Sequence, residues 1–593
     1  MLAPDAHRII TASAKFPKPS TDFRPAYGTA GFRCDASLLG STVFRCGLLT
    51  AARAAVLGRH CGLMITASHN PEADNGVKIA HTHTHTHTHA WEPLATELAG
   101  YSGDDEVARL LVNLLQGNPG DVPSADSLAV LVGCDTRPSS LALTEAACEG
   151  IQAMGVRAVQ LGQVTTPQLH FQVAALNAGH LSLPPEQQLH AAGEDAARSA
   201  LFLDLYFSTL LPAFEELCRG RMSTPQAPSS PDSPLYVDCA NGVGAQHLAR
   251  VAATLASATT GLHLHLLNKG GAPQEGGGRL NHLCGADFVQ KECKAPLGFS
   301  GLPASARCCS IDGDADRLVY FVLQQPQEQP QQGQQQSASS DPPTSPSLHS
   351  VSLLDGDRIA ALIASFVSDL LKGLPQPLAQ TIKVGVVQTA YANGASTRYI
   401  TQTLGLQVVC AKTGVMLLQC IVLHFSQRCS SLHLLRQTGN QAPCILTFFR
   451  DSMQLQHSCV AAHQLLLLSR VINQTVGDAL SGILAVEAIL RLKGWTISDW
   501  QAMYQDLPSK QTKVSVKDRT VIKTADAERV AISPPQLQPA IDKLVAEAGA
   551  QARAFVRPSG TEDIVRVYAE AQTAEAAGAL AASVARTTRS LAA

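Results

Sequence analysis

The stretch Thr66-Ala67-Ser68-His69-Asn70-Pro71, followed closely by Asp74-Asn75-Gly76-Val77-Lys78, decides the fold expected for this chain. The apolar run Gly62-Leu63-Met64-Ile65 before it predicts the end of a buried strand. Asn-Pro and Asp-Asn-Gly are turn formers, so Ser68 is expected on a loop at the carboxyl end of that strand. Open α/β sheets bind ligands at this end, and the pattern therefore predicts an α/β fold with a site at Ser68.

Ser68 is the candidate nucleophile of that site, with His69 and Lys78 near it in the sequence. A bare hydroxyl is a poor nucleophile, but one held on a constrained loop beside such groups can attack a substrate or carry a group. The serine loop, residues 66–71, lacks the G-x-S-x-G elbow of serine hydrolases, which argues against that class. The alternative is an ordinary strand-to-helix turn.

The metal loop, Asp312-Gly313-Asp314-Ala315-Asp316-Arg317, carries a carboxylate at every second residue. In an extended loop alternate side chains point the same way, so the three carboxylates are expected to converge. Three anions so close cannot all stay ionised unaided, and Mg²⁺, which also takes phosphate oxygens, removes the conflict. A calcium EF-hand starting at Asp312 would need glycine and glutamate where Arg317 and Leu323 stand, so a plain acidic turn is the alternative.

Two further stretches supply cations and glycines. The phosphate loop, Arg557-Pro558-Ser559-Gly560-Thr561-Glu562, offers a guanidinium fork, two hydroxyls and an approachable glycine amide, which are typical of a phosphate grip. The strand-like alternation after it supplies Arg566 as a second cation, although a simple turn also fits this stretch. The candidate phosphate ligands are Arg557, Ser559, Gly560, Thr561 and Arg566. Near the N-terminus, Tyr27-Gly28-Thr29-Ala30-Gly31-Phe32-Arg33 sets a glycine loop beside an arginine.

A serine on a loop, a Mg²⁺ site and a separate phosphate-binding loop together indicate phosphoryl transfer through a phosphoserine. In this order the four segments resemble the α-D-phosphohexomutases, and residues 65–78 are similar to the eukaryotic phosphoacetylglucosamine mutases in particular. The resemblance extends from about Tyr27 to Glu570 and is supported by residues 280–288, 387–395, 473–478 and 506–511.

The length of 593 residues predicts roughly four domains of about 150 residues each. The resemblance implies a four-domain, heart-shaped α/β fold, with three mixed α/β sheet domains and a smaller α+β C-terminal domain. The expected domains are residues 1–188 with the serine loop, 189–323 with the metal loop, 348–490, and 491–593 with the phosphate loop. Residues 324–347, rich in Gln, Pro and Ser, are expected to form a disordered insert between the second and third domains.

The resemblance also implies a reaction. A phosphorylated Ser68 gives its group to N-acetylglucosamine 6-phosphate, a sugar bisphosphate turns over in the cleft, and Ser68 recovers the group from position 6. The product, N-acetylglucosamine 1-phosphate, feeds UDP-N-acetylglucosamine synthesis. One Mg²⁺ would neutralise the phosphoryl oxygens, with the arginines assisting and His69 and Lys78 as candidates for proton handling. The catalytic candidates are Ser68, Arg33, His69, Lys78 and Arg317, and the metal candidates are Ser68, Asp312, Asp314 and Asp316.

Two alternatives stay open. A mutase acting on glucose or mannose phosphates would share these motifs. A catalytically impaired sugar-phosphate binder is the other, because the family's sugar-reading loop of Glu, Asn, Gly and His is not found between Val415 and Asn473. Residues 416–460 instead hold four cysteines and irregular leucine runs, which indicates either a gene-model error or true divergence.

The alternating His-Thr repeat at residues 81–89 is a second departure from the family. If the repeat were extended, its five imidazoles would face one side and could bind Zn²⁺ or Ni²⁺. The other interpretation is a low-complexity repeat that replaces the family's own sequence there.

Composition excludes several classes of protein. A net charge of −3, with 16% charged residues, does not indicate nucleic-acid or acidic-membrane binding. The sixteen cysteines include no C-x-x-C pair, which argues against a zinc or redox site and suits the reducing cytosol. No apolar run reaches the roughly 18 residues of a membrane span. We therefore expect a cytoplasmic monomer whose partner is a small sugar phosphate, with no nucleic acid and no membrane.

Overall fold

The part of the chain described by the structure, a computed structural model, spans residues 6–592 with gaps. It comprises residues 6–20, 22–28, 31–80, 88–116, 128–183, 195–219, 234–256, 260–271, 278–324, 348–376, 379, 382–412, 421–425, 459–559 and 563–592. The helices and strands form four units along the chain, each built on a sheet.

The first sheet, from whose strand β2 the serine loop continues, has the strand order β1-β3-β2-β4-β5. Its strands are β1 (Phe32–Asp35), β2 (Cys61–Ile65), β3 (Asp74–Ala80), β4 (Ala129–Cys134) and β5 (Arg157–Gln163). The helices of this unit are α1 (Ala6–Ser13), α2 (Gly40–Leu57), α3 (Thr88–Gly100), α4 (Asp104–Gln116), α5 (Ser140–Ala153) and α6 (Thr166–Asn177). β2, β4 and β5 are parallel, and β2 and β4 are buried throughout because they are runs of apolar or small residues. The strand predicted before Ser68 is thus confirmed.

The Asp-Asn-Gly sequence, expected as a turn, instead begins β3, which is antiparallel to both β1 and β2. The Asn75 side chain is buried and donates to Ser139 Oγ at 2.9 Å, so its polar group is satisfied inside the protein. Gly76 lies where a Cβ atom would collide with the carbonyl oxygens of Phe32 and Thr66. Tertiary packing therefore overrides the local turn preference of these residues.

We expect Gly76→Ala to destabilise the first unit by about 1–3 kcal/mol, because the added methyl group meets backbone atoms that cannot move aside. Urea unfolding followed by circular dichroism measures the loss. The control is Gly40→Ala at the start of α2, where nothing lies within 4 Å of the added atom and the parent stability should be kept. Equal losses in the two variants would contradict the steric explanation.

The second sheet has the order β10-β9-β8-β6-β7, and the metal loop joins its strands β8 and β9. Its strands are β6 (Leu235–Asp238), β7 (Leu264–Leu267), β8 (Arg307–Ile311), β9 (Leu318–Leu323) and β10 (Val351–Leu354), and its helices are α7 (Asp195–Arg219), α8 (Gly244–Ala256) and α9 (Ala286–Glu292). β10 pairs with β9, with Val351 opposite Leu323, although the boundary expected at 348 assigns it to the third domain. The Gln/Pro/Ser-rich stretch, of which residues 325–347 lie outside the described residues, lies in the chain between these two paired strands.

The third sheet has the order β12-β11-β13, with strands β11 (Ile382–Thr389), β12 (Gln407–Ala411) and β13 (Ile421–Phe425). Its unit contains α10 (Gly356–Lys372), α11 (Gly394–Arg398), α12 (Val460–Val471), α13 (Ala479–Lys493) and α14 (Ile497–Gln501). Asp355 caps α10, since its side chain accepts from two backbone amides. Within residues 416–460, β13 pairs with β11, and most of the remainder lies outside the described residues.

The fourth unit carries the phosphate loop at the end of its sheet, β14-β18-β17, beside a two-stranded sheet of β15 and β16. Its elements are β14 (Ser509–Ser515), β15 (Lys523–Ala525), β16 (Val530–Ser533), α15 (Leu537–Ala548), β17 (Arg553–Pro558), β18 (Ile564–Glu570) and α16 (Ala574–Leu591). Arg553 donates to the carbonyls of Ala390 and Ala392 at 3.0 and 2.7 Å, and Glu570 accepts from the Gly394 amide at 3.1 Å. This sheet is therefore attached to the turn after β11.

The mixed α/β class predicted for the chain is confirmed, while the expected domain boundaries stay a prediction. Among the described helices, none is both long and apolar enough to cross a membrane. The described cysteines are free thiols.

Candidate active site

The serine loop leaves β2 and turns sharply at Ser68, whose φ is 52°. A residue with a side chain adopts this conformation only when its surroundings compensate the strain. The Ser68 amide donates to Thr66 Oγ1 at 2.9 Å, and its hydroxyl donates to Asp312 Oδ2 at 2.7 Å. Ser68 is 1% exposed, so its hydroxyl is directed at the metal loop instead of at bulk water.

Arg137 holds the serine loop in place through hydrogen bonds to backbone carbonyls. Its guanidinium donates to the carbonyl oxygens of Ser68, Asn70 and Asp74 at 3.1, 2.9 and 2.7 Å. Asp135, at the end of β4, pairs with Arg137 Nε at 3.0 Å and keeps the fork in place. A lysine could not reproduce this planar set of donors, so the position of Ser68 depends on the arginine.

We expect Arg137→Lys to lower kcat/KM about 10- to 100-fold, because the Ser68 hydroxyl would shift from its position beside Asp312. The matched control is Arg45→Lys, since Arg45 is equally buried in the first unit and binds carbonyls and Asp104 away from the serine loop. Both variants should lose stability in urea unfolding, and only Arg137→Lys should slow turnover. An equal loss of activity in both would show that Arg137 acts through general stability alone.

The metal loop brings the three carboxylates together. One oxygen each from Asp312, Asp314 and Asp316 lies within 4.8 Å of the others, and all three side chains are buried. The predicted convergence is confirmed, but the loop is a tight turn instead of an extended segment. Ala315 has a φ of 57° and donates its amide to the Asp312 carbonyl at 3.0 Å. The turn, and not strand alternation, points the carboxylates inward.

The electrostatics of this cluster fit a divalent cation. Burial and then the charge of Asp314 raise the pKa of Asp312 and, more strongly, that of Asp316. Burial also opposes ionisation of Asp314, but Lys78 and Thr166 outweigh it and hold the pKa of this carboxyl low. Asp314 Oδ2 accepts from both of them, at 2.8 and 2.7 Å, while its Oδ1 is buried without a hydrogen-bond partner. A buried, uncompensated carboxylate oxygen beside two more carboxylates is the donor set that Mg²⁺ uses.

Arg317 joins the metal loop to the serine loop. It donates to Asp312 Oδ2 at 3.0 Å, to Ser68 Oγ at 3.1 Å and to Asp287 at 3.0 Å. It also contacts the Nδ1 atom of His69. Burial and then the Arg317 cation lower the pKa of His69 to about 3, so the imidazole is neutral near pH 7 and accepts at Nδ1.

The remaining basic candidates approach the same carboxylates from the first sheet. Lys78, on β3, donates to Asp314 and Asp316 at 2.8 and 3.3 Å. Arg33, on the neighbouring β1, interacts electrostatically with the metal-loop carboxylates, and its Nε is buried without a hydrogen-bond partner. The structure thus gathers the predicted catalytic and metal candidates of the first two units at one place.

The phosphate loop lies elsewhere, on the fourth sheet. Arg557 and Arg566 face each other across β17 and β18, and the Ser559 amide donates to the Ile564 carbonyl at 2.8 Å. Arg557 also donates to Glu528 at 2.9 Å. Gly560 and Thr561 lie outside the described residues, as do most of the His-Thr repeat and residues 413–415 after β12. The two predicted cations are therefore adjacent, on a unit separate from Ser68.

Sequence reasoning missed two residues that shape the site. Asn281 donates to the carbonyls of Ser68 and Asn70 at 2.8 and 3.0 Å, and Thr166 binds Asp314. Asn281 lies in one of the stretches that support the resemblance, which was its only signal. Thr166 follows Thr165, which forms a capping box at the start of α6. Helix capping accounts for this local sequence by itself, so nothing in the sequence signalled the contact between Thr166 and the metal loop.

Comparison with known proteins identifies the family. Family models of phosphoacetylglucosamine mutase AMG1 match residues 195–319 (domain II) and residues 355–427 and 441–495 (domain III). Phosphoglucomutase/phosphomannomutase models match residues 36–91 and 106–181 (alpha/beta/alpha domain I) and residues 510–587 (C-terminal domain). The third-domain match is interrupted at 428–440, inside the stretch where the sugar-reading loop was not found.

Relatives and solved structures cover almost the whole chain. Phosphoacetylglucosamine mutase of Sus scrofa is 39% identical over 98% of this chain and 96% of its own, and that of Arabidopsis thaliana is 39% identical over 98% of each. The crystal structure of Aspergillus fumigatus N-acetylphosphoglucosamine mutase with GlcNAc-6P and magnesium has 35% identity, a TM-score of 0.78 and complete coverage of both chains. An N-acetylglucosamine-phosphate mutase in its product complex has 31% identity and a TM-score of 0.76 over 98% of this chain and 99% of its own. This chain belongs to the phosphoacetylglucosamine mutase family, within the α-D-phosphohexomutase superfamily.

Proposed function

We propose that this protein interconverts N-acetylglucosamine 6-phosphate and N-acetylglucosamine 1-phosphate through a phosphorylated Ser68, and so supplies UDP-N-acetylglucosamine synthesis. The observation that carries this proposal is the Ser68 hydroxyl, 2.7 Å from Asp312 within the carboxylate cluster and 3.1 Å from Arg317. The relatives named phosphoacetylglucosamine mutase, and the A. fumigatus complex with GlcNAc-6P, support the choice of sugar.

In the first half-reaction the C1 hydroxyl oxygen of the 6-phosphate bonds to the phosphorus on Ser68, and the bond between that phosphorus and Ser68 Oγ breaks. The sugar is then a 1,6-bisphosphate. A related A. fumigatus structure holds glucose 1,6-bisphosphate, which supports an intermediate of this kind. After the sugar turns over, Ser68 Oγ bonds to the phosphorus of the 6-phosphate, and the bond between that phosphorus and the C6 oxygen breaks. The C6 oxygen takes up a proton, which balances the proton that the C1 hydroxyl lost in the first half-reaction, and N-acetylglucosamine 1-phosphate is released. Arg317 stabilises the charge on Oγ, and the Ser68 hydrogen is directed at Asp312 Oδ2.

Asp312, Asp314 and Asp316, together with an oxygen on Ser68, would hold one Mg²⁺. When bound, the ion neutralises charge on the phosphoryl oxygens. Lys78 contributes charge to the same carboxylates, and Arg33 lies close enough to feel them. His69, a neutral imidazole that already accepts at Nδ1, orients the Arg317 guanidinium.

The phosphate loop would hold whichever phosphate is not reacting, through Arg557 and Arg566, which face each other on adjacent strands, and through Ser559, Gly560 and Thr561. The catalytic and metal candidates all come from one chain, so a monomer would carry the complete candidate site. The free thiols of the described residues suit the reducing cytoplasm.

The proposal is tested on the purified full chain by assaying N-acetylglucosamine 6-phosphate and glucose 6-phosphate side by side, with Mg²⁺ and after chelation. We expect the acetylated substrate to be preferred, activity to disappear on chelation and return with Mg²⁺, and mass spectrometry to find phosphate on Ser68. Preference for the plain hexose phosphate would assign a different substrate. Binding of sugar phosphate without turnover would indicate an impaired binder.

A further inference from the structure

A buried polar network between the second and third units contacts the metal loop. Its members are Tyr206 on α7, Asn473 after α12 and Asp478 before α13. Tyr206 is 0% exposed, and Asn473 and Asp478 are nearly as buried, which is costly for polar groups unless each is satisfied. The proposed reaction assigns no role to these residues, although residues 473–478 stand out in the sequence.

The contact with the metal loop is made by the first amide of α13. Asp478 caps this helix, because its Oδ1 accepts from the amides of Leu480 and Ser481 at 3.0 and 3.2 Å. The Ala479 amide has no partner inside its own helix and donates instead to the Ala315 carbonyl at 3.0 Å. Ala315 is the positive-φ residue between Asp314 and Asp316, so the cap and the carboxylate turn are connected by one hydrogen bond.

The second oxygen of Asp478 connects the helix cap to two neighbouring side chains. Asp478 Oδ2 accepts from the Tyr206 hydroxyl at 2.7 Å and from Asn473 Nδ2 at 2.9 Å. Asn473 Nδ2 also lies 3.3 Å from the Pro167 carbonyl, next to the Thr166 hydroxyl that binds Asp314. Elements of the first three units therefore meet at this carboxylate, around the turn that carries the metal ligands.

We propose that Tyr206, Asn473 and Asp478 are positioning residues for metal binding, which hold α13 against Ala315 and so keep the spacing of the metal-loop carboxylates. The inference rests on the metal site of the proposed function. Side chains that support metal ligands from outside contribute to metal affinity by keeping those ligands in place. The network thus gives the third unit an effect on a site whose three carboxylate ligands all lie on the second unit.

The test uses the purified full chain and Mn²⁺ as the probe, with the free ion measured by electron paramagnetic resonance, a readout independent of turnover. These residues do not touch the metal-loop carboxylates directly but act through the backbone of Ala315. We therefore expect the Mn²⁺ dissociation constant to rise about tenfold in Asp478→Asn and about threefold in Tyr206→Phe. Asp478→Asn replaces one accepting carboxylate oxygen by an NH2 group, which would face groups that are themselves hydrogen-bond donors. Tyr206→Phe removes only the hydroxyl. If the first variant does not fold, the second decides.

The matched control is Tyr320→Phe. Tyr320 is also 0% exposed, and its hydroxyl donates to a carboxylate on the same helix, Glu487, at 3.2 Å. Glu487 lies midway along α13, away from Ala315, so Mn²⁺ affinity should stay at the parent value. Parent-like affinity in both folded network variants, or an equal loss in the control, would overturn the inference. A parent chain that binds no Mn²⁺ would overturn the metal site and the inference with it.

Discussion

Ser68→Ala is expected to abolish the mutase reaction. The methyl group of alanine cannot carry a phosphoryl group, so the variant has no phosphoryl group to transfer to the sugar. We therefore expect kcat to fall at least about 10⁴-fold. Loss of the hydroxyl also removes the hydrogen bonds to Asp312 and from Arg317, but these groups remain paired with each other. The folded state should therefore persist. Steady-state assay and intact-mass measurement of protein phosphorylation check the two parts of this expectation.

The control for this change is Ser310→Ala on β8, just before the metal loop. Ser310 is buried and donates to Asp238 at 2.7 Å, and Asp238 keeps Asn268 and the Gly285 amide as partners without it. We expect a stability loss of about 1 kcal/mol and a parent level of phosphorylation. A Ser68→Ala protein that still turns over substrate, or that still acquires phosphate at the parent level, would rule out Ser68 as the carrier.

Asp314→Asn is expected to have the next largest effect. The amide would present hydrogens toward Lys78 or Thr166, which are themselves donors, and it removes one negative charge from the cluster. We expect loss of Mg²⁺ binding in isothermal titration calorimetry and a fall in kcat/KM of about 10²- to 10³-fold. Phosphorylation of Ser68 should fall in parallel if the ion assists each phosphoryl transfer.

Asp287→Asn provides the charge-matched control. Asp287 binds Arg317 at 3.0 Å but does not belong to the carboxylate cluster. Its neutralisation should loosen Arg317 and slow turnover moderately while Mg²⁺ affinity stays near that of the parent. If the two variants bound Mg²⁺ equally well, Asp314 would not be a ligand.

Much of the local structure follows from short-range rules. The apolar run before Ser68 is β2, Asp355 caps α10, and the alternating residues after the phosphate loop form β18. Two local expectations failed for identifiable reasons. The metal loop converges through a positive-φ turn at Ala315 instead of an extended segment, and Asn75-Gly76 enters a strand because its surroundings satisfy the amide and exclude any side chain at the glycine.

The amino-acid sequence alone supplied the candidate groups: a hydroxyl, a set of carboxylates, a pair of arginines proposed to bind phosphate, and their order along the chain. These are properties of residue type and near-neighbour spacing, which a linear pattern contains. Only the tertiary structure decided that Ser68 and Asp312 share a hydrogen bond across 244 positions, and that Arg137, Asn281 and the Tyr206–Asp478 contact support them. The physical reason is that such contacts arise where separate sheets pack against each other, and no local preference specifies which distant side chains then meet.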